Sequence, residues 1–132
     1  LEDSMGQVSR RFEPQTKNIR TARRFVAGFL KELAWPGNVQ VIGLLVSELV
    51  TNAIVHAGQG HSREQIALTM SITDGLVRVE VADANPSPPI RIVDGAVDAP
   101  SGRGLVIVDT LATTWGVTPT SSGKSVWFEV CA

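Results

Sequence analysis

The chain lacks the features that mark secreted, membrane-spanning or nucleic-acid-binding proteins. Its one cysteine, Cys131, cannot form an internal disulfide, which is typical of proteins in a reducing cytosol. Lysine plus arginine number 12 against 13 aspartate plus glutamate, so there is no basic excess for nucleic acid. No apolar run approaches the roughly 20 residues of a membrane span, and no charged-then-apolar signal opens the chain. We therefore expect a cytoplasmic protein without direct nucleic-acid or membrane partners.

The composition is that of a single folded domain. The chain has 132 residues, of which 43% are hydrophobic and 19% are charged. This length and balance allow a sizeable buried core and argue against a disordered chain. Residues 1–15 are predicted to form an N-terminal arm or edge strand, with an extended stretch from Gln7 to Glu13. Residues 1–4, which precede Met5, are set aside as a candidate cloning remnant, and residues 16–132 form the domain proper.

Two helices are predicted in the first half of the chain. Thr16 or Asn18 can cap the first, which runs to about Leu33 with an apolar stripe at helical spacing. The second begins near Asn38 and ends at Gly58, a typical helix stop. The residues expected to form its buried face are Val41, Leu44, Leu45, Leu49 and Ile54.

Strands are predicted in the second half. Apolar and polar residues alternate over Ile66–Ile72 and over Val77–Val81, and Asp74-Gly75 between them is a two-residue hairpin signal. The second strand ends on Asp83. Residues 84–101 show no clear period and predict a functional loop of about 18 residues.

A short helix and a second hairpin complete the pattern. Gly102-Arg103-Gly104 opens the helix, which runs to about Ala112, and strands follow near Thr114–Val117 and Ser125–Val130. Helices combined with antiparallel strands predict an α+β fold. We expect a two-layer sandwich in which a mixed, mostly antiparallel sheet carries helices on one face.

A row of polar side chains interrupts the apolar second helix. Glu48, Asn52 and His56 are four residues apart and therefore share one helix face. Placing a carboxylate, an amide and an imidazole among so many valines and leucines costs desolvation free energy unless a polar group meets them. A ligand is the simplest such group, although a buried asparagine bonded to backbone is the alternative.

Three motifs in order resemble those of one protein superfamily. The run from Glu48 to Ala57, Glu-Leu-Val-Thr-Asn-Ala-Ile-Val-His-Ala, is similar to the N box of the GHKL ATPases, which include gyrase B, Hsp90, MutL and histidine kinases. Asp83 resembles the start of the second box, and Gly102-Arg103-Gly104-Leu105 resembles the last glycine box. The likeness is closest to the bacterial anti-sigma-factor serine kinases and covers roughly Thr16 to Val130.

The resemblance implies a Bergerat-type ATP-binding fold and a protein serine/threonine kinase. The implied reaction transfers the γ-phosphoryl of ATP, held with Mg²⁺, to a small antagonist protein. Glu48 would be the general base, Asn52 the magnesium ligand and Asp83 the acceptor for the exocyclic amine of adenine. The implied protein partners are a sigma factor, its antagonist or both. The full set expected to bind ATP is Asn52, Ala53, His56, Asp83, Asn85, Gly102, Arg103, Gly104, Leu105 and Ser125.

The sequence departs from the family pattern in two places. Ala84 and Asn85 replace the two glycines that follow the aspartate, and Pro86 stiffens the chain after them. Gly123-Lys124-Ser125 takes the place of the family's Gly-Thr-Thr beside the adenine. It is not a P-loop, because Thr118 stands where that motif needs glycine.

Two other functions compete with the kinase. One is a non-catalytic, nucleotide-dependent module that sequesters a partner, which the altered glycines favour and Glu48 opposes. The other is the catalytic half of a histidine kinase. That reading needs an upstream helix that presents the phosphorylated histidine, and neither His56 nor His61 is so placed.

Arginines line the polar side of the first helix. Arg20, Arg23 and Arg24 cannot all join the apolar stripe, so they are predicted to form a compact positive patch. This patch is either a solvated face or a partner-binding surface. The resemblance places Arg23 where the anti-sigma kinases engage their partners, and it leaves a homodimer open.

Overall fold

The computed structural model describes residues 4–59, 65–84, 92–93, 96–97 and 103–132 of the chain. The elements form in an order close to the one predicted from the sequence. The helices are α1 (Lys17–Glu32), α2 (Val39–Gln59) and α3 (Arg103–Leu111), and the strands are β1 (Ser4–Phe12), β2 (Ile66–Thr73), β3 (Leu76–Asp83), β4 (Ile92–Val93), β5 (Ala96–Val97), β6 (Thr114–Thr120) and β7 (Gly123–Cys131).

The main sheet has five strands in the order β1-β2-β3-β7-β6. All four neighbouring pairs are antiparallel, so the α+β prediction is confirmed and this sheet has no parallel pair. β1 lies at one edge against β2. The β2–β3 turn has positive φ at Asp74 (51°) and Gly75 (79°), as a type I′ hairpin requires.

The two long helices form as their patterns predict, with differences in detail. The α1 stripe is confirmed, because Ala22, Val26 and Leu30 are buried. Thr16 makes no side-chain cap bond, and the Asn18 amide instead donates to the Glu13 carbonyl over 2.9 Å. Among the described residues no helix is long and apolar enough to cross a membrane.

The predicted buried face of α2 was partly wrong. Leu44 is 39% exposed, whereas Leu45 and Leu49 are buried as expected. α2 contacts α1 and α3 as well as β2, β3 and β7, so it is enclosed on more sides than one stripe allows. The further buried apolar residues that this enclosure adds are Ile42, Val46, Val50 and Ala53.

The core lies between α2 and one face of the sheet. Alternate residues of β2 and β3 are buried, and their register aligns Met70, Val79 and Phe128 across three adjacent strands. All three are fully buried. Burial of one such side chain contributes roughly 1.5–3 kcal/mol, so this apolar layer is the main source of stability.

The connection between α1 and α2 is hydrogen-bonded to the turn between β2 and β3. The indole nitrogen of Trp35, which is buried, donates to the Gly75 carbonyl in the β2–β3 turn over 2.8 Å. A Cβ added to Gly37 would overlap the Trp35 ring. Glycine is therefore required there, and the indole fixes the start of α2 relative to β2 and β3.

The segment at 84–101 was predicted to be a loop without secondary structure. Its described residues instead contain β4 and β5, which pair antiparallel as a small second sheet. The two strands have only two residues each, too few for an alternating pattern to be visible in the sequence. Residues 85–91 lie outside the described part of the chain.

Two glycine substitutions should have opposite effects on stability. A Cβ at Gly123 would overlap the backbone carbonyl oxygen of Asp83, so Gly123→Ala should lower the free energy of unfolding by about 1–3 kcal/mol. A Cβ at Gly28, in the middle of α1, would meet nothing within 4 Å. Gly28→Ala should therefore raise that free energy by roughly 0.5–1 kcal/mol. Urea titration of both variants measures the difference, and a Gly123→Ala protein as stable as the wild type would contradict the tight approach of β7 to β3.

Candidate functional site

Polar side chains are buried in the apolar layer between α2 and the sheet. Asn52 comes from α2, Asp83 from the end of β3 and Lys124 from the start of β7, and all three are buried. α2 packs against both of these strands. Buried polar groups are costly unless other polar groups meet them, so each of the three needs a physical explanation.

Asn52 is the least satisfied of these groups. It is 8% exposed, and neither its amide oxygen nor its amide nitrogen has a hydrogen-bond partner among the described residues. The alternative of a buried asparagine bonded to backbone therefore does not apply here. An unmet buried amide costs roughly 1–3 kcal/mol, which a ligand that bonds it would recover.

Glu48 lies one turn before Asn52 and on the same face of α2. It is half-buried, and no hydrogen bond or ion pair joins it to another described residue. Desolvation by burial raises the pKa of its carboxyl above the ordinary value of 4.5. A raised pKa makes the carboxylate a better proton acceptor. Because the folded state holds this proton more tightly, Glu48 lowers stability as pH rises above its ordinary pKa.

Asp83 and Lys124 form a buried ion pair. The two residues are directly opposite on β3 and β7, and the Lys124 Nζ lies 2.9 Å from the Asp83 Oδ1. Each side chain is only 2% exposed. Removing one partner of such a pair typically costs about 3–5 kcal/mol, because the other charge is left buried. The predicted adenine acceptor therefore already accepts from an ammonium group.

Lys124 is a residue of the site that the sequence analysis did not predict, whereas its neighbour Ser125 is in the predicted ATP-binding set. Along β7 the helix-facing positions are Lys124, Val126 and Phe128, so Ser125 points to the opposite face of the sheet. Its hydroxyl is 3.2 Å from a carboxylate oxygen of Glu80 on that outer face. The Ser125 side chain therefore lies on the opposite face of the sheet from Asp83, and the binding of ATP by Ser125 stays a prediction. Alternation along β7 predicts that Lys124 shares a face with Val126 and Phe128, whereas its position opposite Asp83 depends on the register of β3 and β7.

The outer face of the sheet carries its own polar network. Arg78 stacks over the Trp127 ring at 4.2 Å and donates to Glu129 over 3.0 Å. Glu129 also accepts from the Thr114 hydroxyl over 2.8 Å. These contacts satisfy the side chains of the layer to which Ser125 belongs, and they are separated from Asn52 and Glu48 by the sheet.

Several predicted nucleotide contacts cannot be placed in full. Ala53 is buried in α2 beside Asn52. Asn85 and Gly102 lie outside the described residues, and only the backbone is described for His56 and for residues 103–105. Arg103 begins α3, and α3 packs against α2 and β6. The predicted phosphate loop thus leads into a helix that neighbours α2.

The three arginines of α1 lie together. Arg20, Arg23 and Arg24 are exposed and line one groove between α1 and α2, with a volume of about 390 Å³. The Arg23 guanidinium lies over Gly43 of α2, where an added Cβ would be 3.7 Å from its Nε. The remaining lining residues are Ala27, Val39 and Gln40. The groove is therefore cationic on the α1 side and largely uncharged on the α2 side.

The donor set suits a magnesium ion that arrives with phosphates. Within the described ranges there is no group of three or more His, Cys, Asp or Glu residues that could hold a metal ion. Magnesium commonly takes one or two protein oxygens and completes its octahedron with water and phosphate oxygens. The unmet Asn52 amide oxygen fits the part of such a single protein ligand.

Comparison with known proteins gives a consistent picture. The family model for the histidine kinase-like ATPase domain matches residues 12–130. An uncharacterized protein of Streptomyces coelicolor is 35% identical over 85 residues, which are 64% of this chain and 79% of that protein. The crystal structure of the RsbU and RsbW domains of Rv1364c from Mycobacterium tuberculosis superposes with a TM-score of 0.69 at 18% identity. That likeness covers 96% of this chain and 32% of the other, so this chain spans about a third of its length.

Replacing Asn52 should test whether its side-chain amide lacks a hydrogen-bond partner in the protein. Asn52→Ala should leave the free energy of unfolding unchanged or raise it by up to about 1–2 kcal/mol without ligand, because a buried, unbonded amide is removed. Leu49→Ala, a fully buried apolar residue of the same helix, is the control and should lose about 2–5 kcal/mol. Chemical denaturation measures both values. A loss above about 1 kcal/mol in Asn52→Ala would show that the amide has protein partners.

Proposed function

We propose that this chain, which belongs to the histidine kinase-like ATPase domain family, binds ATP with Mg²⁺ and transfers the γ-phosphoryl group to a serine or threonine of a small protein partner. The observation that carries the proposal is the buried Asn52 amide, which has no partner among the described residues although its helix is otherwise packed with apolar side chains. A bound nucleotide and its cation would supply the missing polar contact.

In this proposal Asn52 is the protein ligand for Mg²⁺. Its amide oxygen would hold the ion, which would supply positive charge to offset the negative charge that develops during phosphoryl transfer. The rigidity of α2 supports the role, because Val50 and Ala53 on either side of Asn52 are buried and hold that turn of helix in place. A ligand on a packed helix requires no ordering when the nucleotide arrives.

Glu48 is proposed as the general base. It lies one turn from Asn52 on the same helix face, so a hydroxyl that attacks the terminal phosphate beside the ion could donate its proton to the carboxylate. Desolvation raises the pKa of Glu48. A better proton acceptor at this position is what the reaction needs.

The phosphates of the nucleotide are proposed to lie near the start of α3, and its adenine near Asp83 at the end of β3. The first turn of α3 begins at Arg103, directly after Gly102, and the backbone amides of a helix N-terminus suit an anion. Asp83 is proposed to accept the exocyclic amine of adenine. Since Lys124 already donates to Asp83, the nucleotide base must share this carboxylate or displace the lysine.

The partner is proposed to be a sigma factor, its antagonist or both, in the cytoplasm. The structure with the similar fold carries an RsbW domain and an RsbU domain in one chain. In this chain the groove of Arg20, Arg23 and Arg24 offers guanidinium groups, which bind carboxylates in a bidentate manner. We propose this groove as the surface that engages an acidic segment of the partner.

A nucleotide-dependent module without catalysis is the second candidate. The observation in its favour is that Asp83 already pairs with Lys124 at the end of β3, so this strand end departs from the pattern of the resembled kinases. Ala84, directly after Asp83, also replaces a glycine of the resembled motif. Such a module would bind its partner through the arginine groove and would transfer no phosphoryl group.

Two variants of α2 should separate binding from transfer. Glu48→Gln should keep ATP affinity and lose phosphoryl transfer, since the proton acceptor is removed and the side-chain shape is kept. Asn52→Ala should instead weaken Mg²⁺-dependent ATP binding by about tenfold or more. Calorimetry measures binding, and γ-labelled ATP with candidate partner proteins measures transfer. Equal transfer by Glu48→Gln and the wild type would contradict the role of Glu48 as general base, and transfer by neither protein would favour the sequestering module.

Removing one groove arginine should affect the partner alone. Arg23→Ala should weaken partner binding by about 1–3 kcal/mol. It should leave the fold and ATP affinity unchanged, because Arg23 is exposed and lies on α1, away from Asn52 and Asp83 of the proposed nucleotide site. Arg11→Ala, an exposed arginine of β1 outside the groove, is the matched control. Titration of the partner into each variant decides the matter. Equal affinity of Arg23→Ala and the wild type would make the groove an ordinary solvated surface.

A further inference from the structure

The ion pair of Asp83 and Lys124 has a chemical consequence for the nucleotide base. A carboxylate alone only accepts hydrogen bonds, so it selects an amino group at purine position 6 and repels a carbonyl. An ammonium only donates. With Nζ 2.9 Å from Oδ1, the two side chains present an acceptor and a donor next to each other at the ends of β3 and β7.

Such an acceptor–donor pair is complementary to two classes of purine. A 6-aminopurine can donate from its exocyclic amine to Asp83 and accept at ring nitrogen 1 from Lys124. A 6-oxopurine can accept at its carbonyl from Lys124 and donate from ring nitrogen 1 to Asp83. The ammonium thus removes the repulsion by which a lone carboxylate would exclude the carbonyl.

The packing around Lys124 keeps this donor in place. The side chain is only 2% exposed, and its Nζ lies within hydrogen-bond distance of Asp83. The position is fixed by its register opposite Asp83, and Gly123 before it approaches the Asp83 backbone so closely that no side chain fits there. Both groups therefore lie at the same end of β3 and β7, so one purine edge placed there would face both of them.

We propose that Lys124 is a specificity-determining residue that allows the base site to bind 6-oxopurine nucleotides as well as adenine nucleotides. The inference rests on the proposed function, because it assumes that the base of a bound nucleotide lies against Asp83. The ability to bind both classes of purine is thereby attributed to the Lys124 side chain.

ADP and IDP test this directly, because they differ only in the group at position 6 of the purine and in the proton that ring nitrogen 1 carries in the 6-oxo form. In the wild-type chain with Mg²⁺, calorimetry should give dissociation constants for the two within about tenfold of each other. Lys124→Met, which keeps the length of the side chain and removes the donor, should raise the ratio of the IDP constant to the ADP constant by at least about tenfold. Lys31→Met, an exposed lysine of α1, is the control and should leave the ratio unchanged.

The outcomes distinguish this inference from the proposed function. Binding of ADP with no measurable binding of IDP in the wild type would overturn the inference and leave the proposed function intact. Binding of neither nucleotide would overturn both. If both bind and the ratio in Lys124→Met equals that of the wild type, Lys124 is not the determinant. The wild-type ratio requires no substitution, so a Lys124→Met chain that failed to fold would still leave the inference testable.

Discussion

The packing of α2 against one face of the antiparallel sheet is the constraint on which the rest of the structure depends. This helix contacts three strands and both other helices. Its apolar residues and those of β2, β3 and β7 form one continuous core. The packing holds α2 against the sheet, buries Asn52 and Asp83, and partly buries Glu48. Burial therefore gives Glu48, Asn52 and Asp83 chemical properties that they would not have on a solvated surface.

The buried polar groups of this layer differ in whether the protein supplies them with a partner. Asp83 and Lys124 neutralise each other within the protein, so their pairing contributes to a folded state that needs no ligand. Asn52 has no partner among the described residues, so its burial costs free energy that the apolar contacts of α2 offset. A group that is left unmet inside an otherwise well-packed helix is what a binding site requires. The contrast identifies the Asn52 amide as a buried polar group that has no protein partner among the described residues, whereas Asp83 and Lys124 already contact each other.

Sequence patterns predicted the local structure well where one side of an element is buried. The α1 stripe and the alternation in β2 and β3 fit the observed burial, and Asp74-Gly75 marks the turn between the strands. The same reasoning failed for α2, where Leu44 is exposed. A helix that is enclosed on several sides has too many apolar positions for one face to be chosen from spacing alone.

The sequence by itself determined the three helices, the strands of the main sheet, the fold class and the row of Glu48 and Asn52, because these follow from the spacing of residue types along the chain. Only the tertiary structure decided that Lys124, and not Ser125, faces Asp83. Lys124 and Asp83 are 41 positions apart in the chain, and their contact depends on the antiparallel register of β3 and β7. A shift of one residue in that register would move each side chain of β7 to the other face of the sheet. Register is set by the packing of all the strands and helices together, so no local pattern in either strand specifies it.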